Sequence, residues 1–340
     1  MNILLTSAGR RSYLVRYFRE ALGEEGVVHV GNSEPSIATQ CGDAAVLTPL
    51  IYDPNYIPFL KDYCRKHSIG AILSLFDIDL PILAAHQTEF SELGTRVVLA
   101  PVETVALCND KWKADCWLRK HGFQTARTFI DLSTAKRAIA AGELSYPVVV
   151  KPRWGMGSIG VNFAANEREL DVFFQKSRDA AMESYLRFES TQTPDEMILV
   201  QEKLTGQEHG LDVVNDLDGN YVTMFAKAKL SMRAGETDVG LTVDPSPFAE
   251  VGRRLSRLLQ HHAILSVDCF YDGRTVKIGE LNCRISGHYP IAHLAGANLP
   301  KQIVRWLHGQ GTDMDLLRVR AGIRVTKELV PTVLGTVESN

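Results

Sequence analysis

The sequence predicts an α/β fold, with a doubly wound parallel sheet in the first hundred residues and mixed α and β structure after it. Short aliphatic runs, such as residues 3–5 and 71–75, are typical of buried parallel strands. Amphipathic segments with helical spacing separate these runs, and that alternation indicates a doubly wound sheet. The second half contains hairpin signals, because Asp-Gly pairs at 218–219 and 272–273 lie between apolar runs.

Length and charge limit the classes of protein to consider. The chain has 340 residues, enough for two or three lobes with their own cores, and a formal net charge of −3. It has no long run of like charge, which argues against a nucleic-acid or membrane-surface partner. The six cysteines form no C-x-x-C pair, and no signal peptide or membrane-spanning apolar run is recognisable. These observations predict a soluble, cytoplasmic protein that acts on small molecules.

The first half contains no dinucleotide-binding turn. After the first strand the chain has the single Gly9, where such a turn requires G-x-G-x-x-G. Arg10 and Arg11 follow at the strand end and are candidates to bind an anionic substrate; the alternative is a pair of solvated arginines at a helix start. Further on, Asp77 is expected to cap a helix that runs to about Phe90.

A glycine-rich loop follows an apolar strand in the middle of the chain. The strand at residues 146–151 ends in Lys151, and Gly155, Gly157 and Gly160 come next. Glycine lets backbone N–H groups approach phosphate oxygens closely, and Lys151 would reach the same phosphates. The lysine precedes the glycines, so this is not the P-loop pattern. The loop is predicted to be a mobile flap over a nucleotide; the alternative is a flexible hairpin tip.

Two lysines begin a predicted helix upstream of that loop. Asn109 and Asp110 precede residues 111–120 as cap residues, and Lys111 and Lys113 lie in the first turn. A cation at a helix N-terminus opposes the helix dipole, so it needs another role, such as binding a phosphate. The alternative is that the two lysines are simply exposed.

The clearest chemical pattern is the predicted hairpin around residues 272–273. On its second strand Glu280, Asn282 and Arg284 are two residues apart, so their side chains point to the same face. Asp268 on the facing strand can point into the same space. Two carboxylates and an amide oxygen suit Mg²⁺, and an arginine fork suits an anionic oxygen. The alternative is the exposed polar face of an edge strand.

Another apolar strand, at 197–201, ends in Gln201-Glu202-Lys203-Leu204. A chain leaving such a strand can present backbone groups to an adenine edge, and Glu208 a few residues later can accept from ribose hydroxyls. A hairpin is predicted next, with Lys227 and Lys229 on one strand face, followed by a turn at 233–236.

Taken together, these motifs resemble the ATP-grasp superfamily, in the branch similar to the carbamoyl-phosphate synthase large subunit and single-chain carboxylate–amine ligases. The motifs in the family's order are Asn109-Asp110-Lys111, residues 146–151 with the glycine loop, residues 201–204, Gly206 to Glu208, and Asp268 with Glu280 to Arg284. The resemblance implies a pre-ATP-grasp domain at 1–100 and a two-lobed α+β ATP-grasp domain at 101–340. In that domain it implies a mobile small lobe at about 125–200 and a metal-binding large lobe at about 201–310.

The resemblance also implies roles for individual residues. Contacts to ATP are implied for Lys111, Lys151, Gly155, Gly157, Ser158, Glu202, Lys203, Leu204 and Glu208. Mg²⁺, with Mn²⁺ as the alternative, would be held by Asp268, Glu280 and Asn282. Arg284 and Lys151 would be catalytic. Asp268 departs from the family, which often has the longer glutamate or glutamine at this position.

The implied activity is an ADP-forming carbon–nitrogen ligase, which joins a carboxylate (an amino acid or a small acid) to an amine through an acyl phosphate. The alternatives are a phosphotransferase on the same fold and a non-catalytic nucleotide-binding subunit. Candidates to bind the substrates are Arg10, Arg11, Lys229, Arg233, Ser286 and His288. A homodimer is expected by analogy with the family.

Overall fold

The computed structural model describes residues 1–334, which form three β-sheets with helices packed around them. The N-terminal sheet has five parallel strands in the order β3-β2-β1-β4-β5, which confirms the predicted doubly wound arrangement. Its strands are β1 (Asn2–Thr6), β2 (Val28–Asn32), β3 (Ala44–Leu47), β4 (Ile69–Ser74) and β5 (Arg96–Val97). The helices around it are α1 (Ser12–Leu22), α2 (Ile37–Cys41), α3 (Tyr56–Lys66), α4 (Asp79–Ala85) and α5 (Gln87–Glu92). No helix within residues 1–334 is long and apolar enough to cross a lipid bilayer.

The prediction that Asp77 caps a single long helix was wrong, because this segment forms the two short helices α4 and α5. At the start of α4 it is Asp79 that is fully buried, where its carboxylate accepts hydrogen bonds from Thr6 Oγ1 at 2.6 Å and Ser74 Oγ at 2.7 Å. Asp77 instead accepts a hydrogen bond from Arg284 Nη2 at 2.9 Å. Its side chain therefore joins the N-terminal sheet to the last third of the chain.

The small sheet has four strands in the order β6-β9-β7-β8. They are β6 (Thr128–Phe129), β7 (Val148–Pro152), β8 (Asn162–Ala164) and β9 (Ile198–Glu202). The helices that accompany it are α8 (Leu132–Ala140), α9 (Glu167–Met182) and α10 (Arg187–Ser190). The two helices before it in the chain, α6 (Val102–Asn109) and α7 (Lys111–Lys120), pack against each other and against the large sheet. This sheet is docked on the N-terminal part: Tyr52 Oη donates to Glu189 Oε1 at 2.6 Å, and the Tyr52 ring stacks on Phe188 with 4.0 Å between centroids.

The large sheet has six strands, and all its pairs are antiparallel in the order β14-β13-β10-β11-β12-β15. They are β10 (Gln207–Asn215), β11 (Tyr221–Arg233), β12 (Glu236–Val243), β13 (Ile264–Tyr271), β14 (Val276–Asn282) and β15 (Arg324–Thr326). Its helices are α11 (Ala249–Leu259), α12 (Tyr289–Leu294) and α13 (Leu299–Leu307). The apolar face of α11 buries Leu255 and Leu259 against β10 and β11. The sequence analysis missed β12.

Candidate active site

A cavity of about 560 Å³ opens between the small sheet and the large sheet, with Arg11 of the N-terminal part at its border. It brings together most of the residues that the sequence singled out. The predicted nucleotide, metal and catalytic residues that line the cavity are Lys111, Lys151, Gly155, Gly157, Ser158, Glu202, Lys203, Leu204, Glu208, Asp268, Glu280, Asn282 and Arg284. A set of residues spread over more than 170 positions of the sequence therefore faces one space.

The glycine loop between β7 and β8 forms one wall of this cavity. Gly155 has φ +89°, and a Cβ there would lie 2.2 Å from Leu186 Cδ2, so only glycine fits without a shift. On the opposite side the loop touches the β11–β12 turn, since a Cβ on Gly235 would lie 2.4 Å from the backbone carbon of Gly157. The loop is therefore folded down onto the large sheet in this structure.

Lys111 and Lys151 bring two cations to the loop. Lys111 Nζ donates to the backbone oxygen of Gly155. Desolvation lowers the pKa of Lys151; Lys111 adds to that effect, whereas the carboxylate of Glu280 acts against it. Lys113 lies in the same helical turn as Lys111, but its side chain is 64% exposed and lies outside the cavity.

An ion pair that the sequence analysis missed fixes the start of α7. Asp110 caps the helix by accepting from the backbone N–H groups of Trp112 and Lys113, each at 3.1 Å. Arg153, at the base of the glycine loop, donates to both oxygens of Asp110 at 2.8 Å. This buried two-point contact ties the loop to the helix that carries Lys111. Arg153 gave no signal in the sequence because its partner lies 43 positions away.

The strands β13 and β14 form the predicted hairpin. Asp268 lies directly opposite Glu280, and Ser266 lies opposite Asn282. Within residues 1–334 no group of three or more His, Cys, Asp or Glu side chains is arranged to hold a metal ion. The donor set is instead two carboxylates and one amide, which fits Mg²⁺ because this ion usually takes one or two carboxylates together with substrate phosphates and water.

The two carboxylates of this hairpin are held differently. Asp268 Oδ1 is buried and lies 2.7 Å from Lys229 Nζ, which also pairs with Glu208 Oε1 at 2.8 Å. Burial acts to raise the pKa of Asp268, but Lys229 outweighs it and holds that pKa well below its usual range. Glu280 Oε1 is 3.6 Å from Lys111 Nζ, beyond hydrogen-bonding distance. Glu280 is therefore the carboxylate more available to a new ligand.

Comparison with known proteins identifies the second half of the chain. Residues 194–330 match the family described as "ATP-grasp in the biosynthetic pathway with Ter operon". Residues 3–98 match the PylC-like N-terminal domain. Residues 194–330 are an ATP-grasp region. This confirms the resemblance drawn from the sequence motifs.

Relatives of this ATP-grasp protein are distant and longer. The carbamoyl phosphate synthase large chain of Thermotoga petrophila is 24% identical over 227 residues, which are 65% of this chain and 19% of that protein. The chain thus spans about a fifth of the length of such a relative. Among solved structures, the biotin carboxylase domain dimer of Hydrogenobacter thermophilus 2-oxoglutarate carboxylase, in complex with MgADP, ADP and bicarbonate, has a TM-score of 0.72 at 16% identity, covering 95% of this chain and 73% of that one.

A further structural neighbour is N5-carboxyaminoimidazole synthetase from Staphylococcus aureus, complexed with ADP. It has a TM-score of 0.69 at 15% identity and covers 92% of this chain and 78% of its own. At such identities the likeness establishes a shared fold, and the functional argument depends on the residues in the cavity.

At the end of β9, Glu202 is held from two sides. Its Oε2 accepts from the backbone N–H of Arg127 at 3.1 Å, and its Oε1 lies 3.4 Å from Lys277 Nζ. Next to it, Lys203 Nζ lies 5.4 Å from the centroid of the Phe163 ring, which is 55% exposed and lines the cavity. An exposed aromatic ring there offers a flat apolar surface. Phe163 was missed because a lone phenylalanine in a strand usually indicates core.

The candidate substrate residues divide into two groups. Arg11, Lys229, Ser286 and His288 line the cavity. Arg10 is exposed and outside it, and Arg233 is exposed on the β11 end, where it pairs with Asp238 at 2.7 Å. The expectation that Arg10 and Arg233 bind substrate therefore has no support in the geometry. Glu236, which the sequence analysis placed in a turn, is the first residue of β12 and lines the cavity.

A polar network lies beneath the cavity floor around His288. Its Nε2 is 3.1 Å from Ser266 Oγ, and its Nδ1 is 2.9 Å from Ser286 Oγ. Ser286 Oγ also donates to Asp212 Oδ1 at 3.0 Å, and Asp212 forms a fully buried ion pair with Lys227. Burial lowers the pKa of His288 to about 4, so the imidazole is neutral at pH 7.

Gly210 is the residue that leaves room for this histidine. A Cβ at Gly210 would lie 2.6 Å from His288 Nε2. We expect Gly210→Ala to lower the free energy of unfolding by about 1–3 kcal/mol, because the ring has to shift in a packed interior. Urea unfolding of Gly210→Ala, His288→Ala and the double variant checks this. The clash predicts that the double variant loses less than the sum of the single losses, and additive losses would contradict it.

Proposed function

We propose that this ATP-grasp protein is an ATP- and Mg²⁺-dependent ligase that joins a carboxylate to an amine through an acyl phosphate and releases ADP and phosphate. The observation that carries the proposal is the composition of the cavity. Lys111, Lys151 and Arg284 face the hairpin with Glu280 and Asn282, so cations surround one point from several elements. Such an arrangement suits the meeting of a triphosphate with a second anion.

The proposed reaction has two steps. A carboxylate oxygen of the first substrate attacks the γ-phosphorus of ATP, and the bond to the ADP oxygen breaks. The nitrogen of the neutral amine then attacks the acyl carbon, phosphate leaves with the electrons of the broken bond, and a nitrogen proton passes to solvent or phosphate. Neither step needs a nucleophilic side chain.

The chain's own residues would act by lowering repulsion and excluding water. Two unit charges of the same sign at 4 Å repel by roughly 4 kcal/mol at an effective dielectric constant of about 20. Lys111, Lys151 and Arg284 would offset that repulsion as the carboxylate approaches the triphosphate. The glycine loop, which already contacts the β11–β12 turn at Gly235, would keep water away from the acyl phosphate.

Asp268, Glu280 and Asn282 would hold the divalent cation, with Glu280 as the main carboxylate ligand. When bound, the cation supplies further neutralisation of the phosphate charge. Glu202, Lys203 and Leu204 would mark the adenine side. We propose Glu208 for the ribose, where its carboxylate would share its pairing between the ribose hydroxyls and Lys229 Nζ, which lies 2.8 Å from Oε1.

We also propose the division of the chain at about residue 100, with a mobile small lobe at about 125–200, whose glycine loop is a flap over the nucleotide, and a metal-binding large lobe at about 201–310. The strand–loop–strand form of β7 and β8 supports this. A homodimer is proposed by analogy with the dimeric biotin carboxylase domain, and light scattering on the purified protein checks it.

An ATP-consumption assay tests the ligase. The protein is incubated with Mg²⁺-ATP and pooled amino acids and small carboxylates, with and without pooled amines, and all nucleotide and phosphate products are resolved. We expect ADP and free phosphate that require both pools and disappear in Lys151→Ala, whereas the exposed Lys113→Ala behaves as wild type. ADP with a phosphorylated acceptor would show a phosphotransferase instead. AMP and pyrophosphate would contradict the acyl-phosphate route.

A further inference from the structure

The ion pairs that line the cavity fall into short and long ones. Lys229–Asp268 and Arg284–Asp77 are 2.7 and 2.9 Å long, which is the usual length of a charge-assisted hydrogen bond. Of the Lys or Arg pairs whose two members both line the cavity, two are longer: Lys111–Glu280 at 3.6 Å and Arg11–Glu236 at 3.4 Å. A long pair inside a cavity holds its members close without satisfying them, so each member can accept a better partner. The first long pair lies at the proposed nucleotide and metal site, and the second has no role so far.

The guanidinium of Arg11 is only partly used. Its Nη1 donates to the backbone oxygen of Leu75, which fixes the side chain. The other edge of the fork, Nε and Nη2, faces Glu236, but both nitrogens meet the same oxygen, Oε1, at 3.4 Å. A carboxylate bound to this edge in the usual way gives one oxygen to each nitrogen at shorter distance. The Arg11 side chain is only 6% exposed, so this edge, with its two long hydrogen bonds to Glu236, borders the cavity and not bulk water.

The carboxylate of Glu236 is the other half of this subsite. Its Oε2 pairs with Lys327 Nζ at 3.2 Å, and its Cδ would lie 3.1 Å from a Cβ placed on Gly287. Any side chain at Gly287 would therefore crowd it. Burial acts to raise the pKa of Glu236, but Arg11 and Lys327 outweigh this, and the pKa is lowered. The carboxylate is ionised at pH 7 and borders the same space as this edge of Arg11.

We propose that Arg11 and Glu236 together bind a zwitterion: one substrate of the ligation is an amino acid that displaces the two long Arg11–Glu236 contacts, with its carboxylate on Nε and Nη2 of Arg11 and its ammonium group on Glu236. A ligand with a carboxylate alone would sit on Arg11 within a few ångströms of the Glu236 charge and be repelled by it. An ammonium group on the neighbouring carbon turns that repulsion into attraction. This inference rests on the proposed ligase function and narrows one of its substrates to an amino acid, which would react through a group other than the carboxylate and ammonium held here.

Binding without turnover tests the inference. The full-length protein is saturated with Mg²⁺ and a non-hydrolysable ATP analogue. It is then titrated calorimetrically with each of the twenty L-amino acids and with the matching acids that carry hydrogen or hydroxyl in place of the ammonium. We expect at least one amino acid to bind about 10- to 100-fold more tightly than its matched acid. Glu236→Gln should lower the affinity for that amino acid by a similar factor and should not lower the affinity for the matched acid.

The chain offers a matched control on the same strand. Asp238 is two residues from Glu236 on β12, but it pairs with the exposed Arg233 outside the cavity, so Asp238→Asn should bind every ligand as wild type does. Arg11→Lys keeps the charge and removes the two-nitrogen edge of the guanidinium. It should lower the affinity for the amino acid about tenfold or more. The affinity for the ATP analogue should stay unchanged in all three variants, which also reports that they fold.

Three results would overturn the inference: no amino acid binds, the matched acids bind equally well, or Glu236→Gln has no effect on the amino acid. Turnover separates this from the ligase proposal. If a simple acid and an amine yield ADP and phosphate while amino acids do not, the ligase stands and the zwitterion site falls. If an amino acid binds through Glu236 but no amine releases ADP and phosphate, the site stands and the ligase falls.

Discussion

Glu280→Gln should lower the rate of ADP formation about a thousandfold, which corresponds to roughly 4 kcal/mol of transition-state stabilisation. Glu280 lines the cavity opposite Asp268, and its only cationic neighbour at salt-bridge distance within residues 1–334 is Lys111 at 3.6 Å. The amide has nearly the same shape but lacks the charge that a divalent cation requires. A second readout separates binding from chemistry: affinity for Mn²⁺ in the presence of ADP, followed by electron paramagnetic resonance, should fall about tenfold or more.

Asp268→Asn provides the informative comparison. The carboxylate of Asp268 is already neutralised by Lys229. Removing this carboxylate should therefore lower the affinity for Mn²⁺ less than removing that of Glu280 does. Glu250→Gln, an exposed change on α11, controls for the substitution itself and should leave both measurements unchanged. Equal effects of Asp268→Asn and Glu280→Gln would mean that the short and long ion pairs do not distinguish the two carboxylates. An unchanged Mn²⁺ affinity in Glu280→Gln would remove it from the metal site.

The geometry that the sequence predicted well is local. In the β13–β14 hairpin the side-chain period of two decides which residues share a face, and the Asp-Gly turn sets which strands pair. Asp268, Glu280 and Asn282 could therefore be brought together without knowledge of the rest of the fold. The same holds for the helix beginning at Lys111, because the cap residue Asp110 is adjacent in sequence.

Geometry that depends on how the sheets dock was not predictable. Arg284 was expected to extend the metal-binding face, and it does line the cavity, but its partner Asp77 is 207 positions away in the N-terminal part. Nothing in either local sequence indicates that contact. Glu236 was hidden for a different reason. In the turn between β11 and β12 the residues with left-handed backbone are Ala234 and Gly235, and β12 starts immediately after them. A turn motif marks the middle of a turn more reliably than its ends.

Asp212→Ala should lower the free energy of unfolding by about 3–5 kcal/mol, the largest stability effect we expect from one substitution. Asp212 and Lys227 are both 0% exposed, and the change leaves a buried ammonium without its counter-charge. Urea unfolding at pH 7 measures it. The surface pair Arg65–Asp62 gives the matched control, because Asp62→Ala should lower the free energy of unfolding by less than about 1 kcal/mol. A loss no greater than that control would show that water reaches Lys227.

The pH dependence of Asp212→Ala tests the same physics by its sign. Desolvation already lowers the pKa of Lys227 in the folded wild type, although Asp212 opposes this. Without Asp212 the folded-state pKa falls further below the unfolded value of about 10.4. The folded state then binds fewer protons than the unfolded state, so the stability of the variant rises with pH as Lys227 becomes neutral, up to the unfolded pKa. The gap between variant and wild type should therefore narrow from pH 7 to pH 10. Asp212→Leu combined with Lys227→Met removes both charges and should recover most of the loss at pH 7, and a gap that is constant with pH would assign the loss to packing instead.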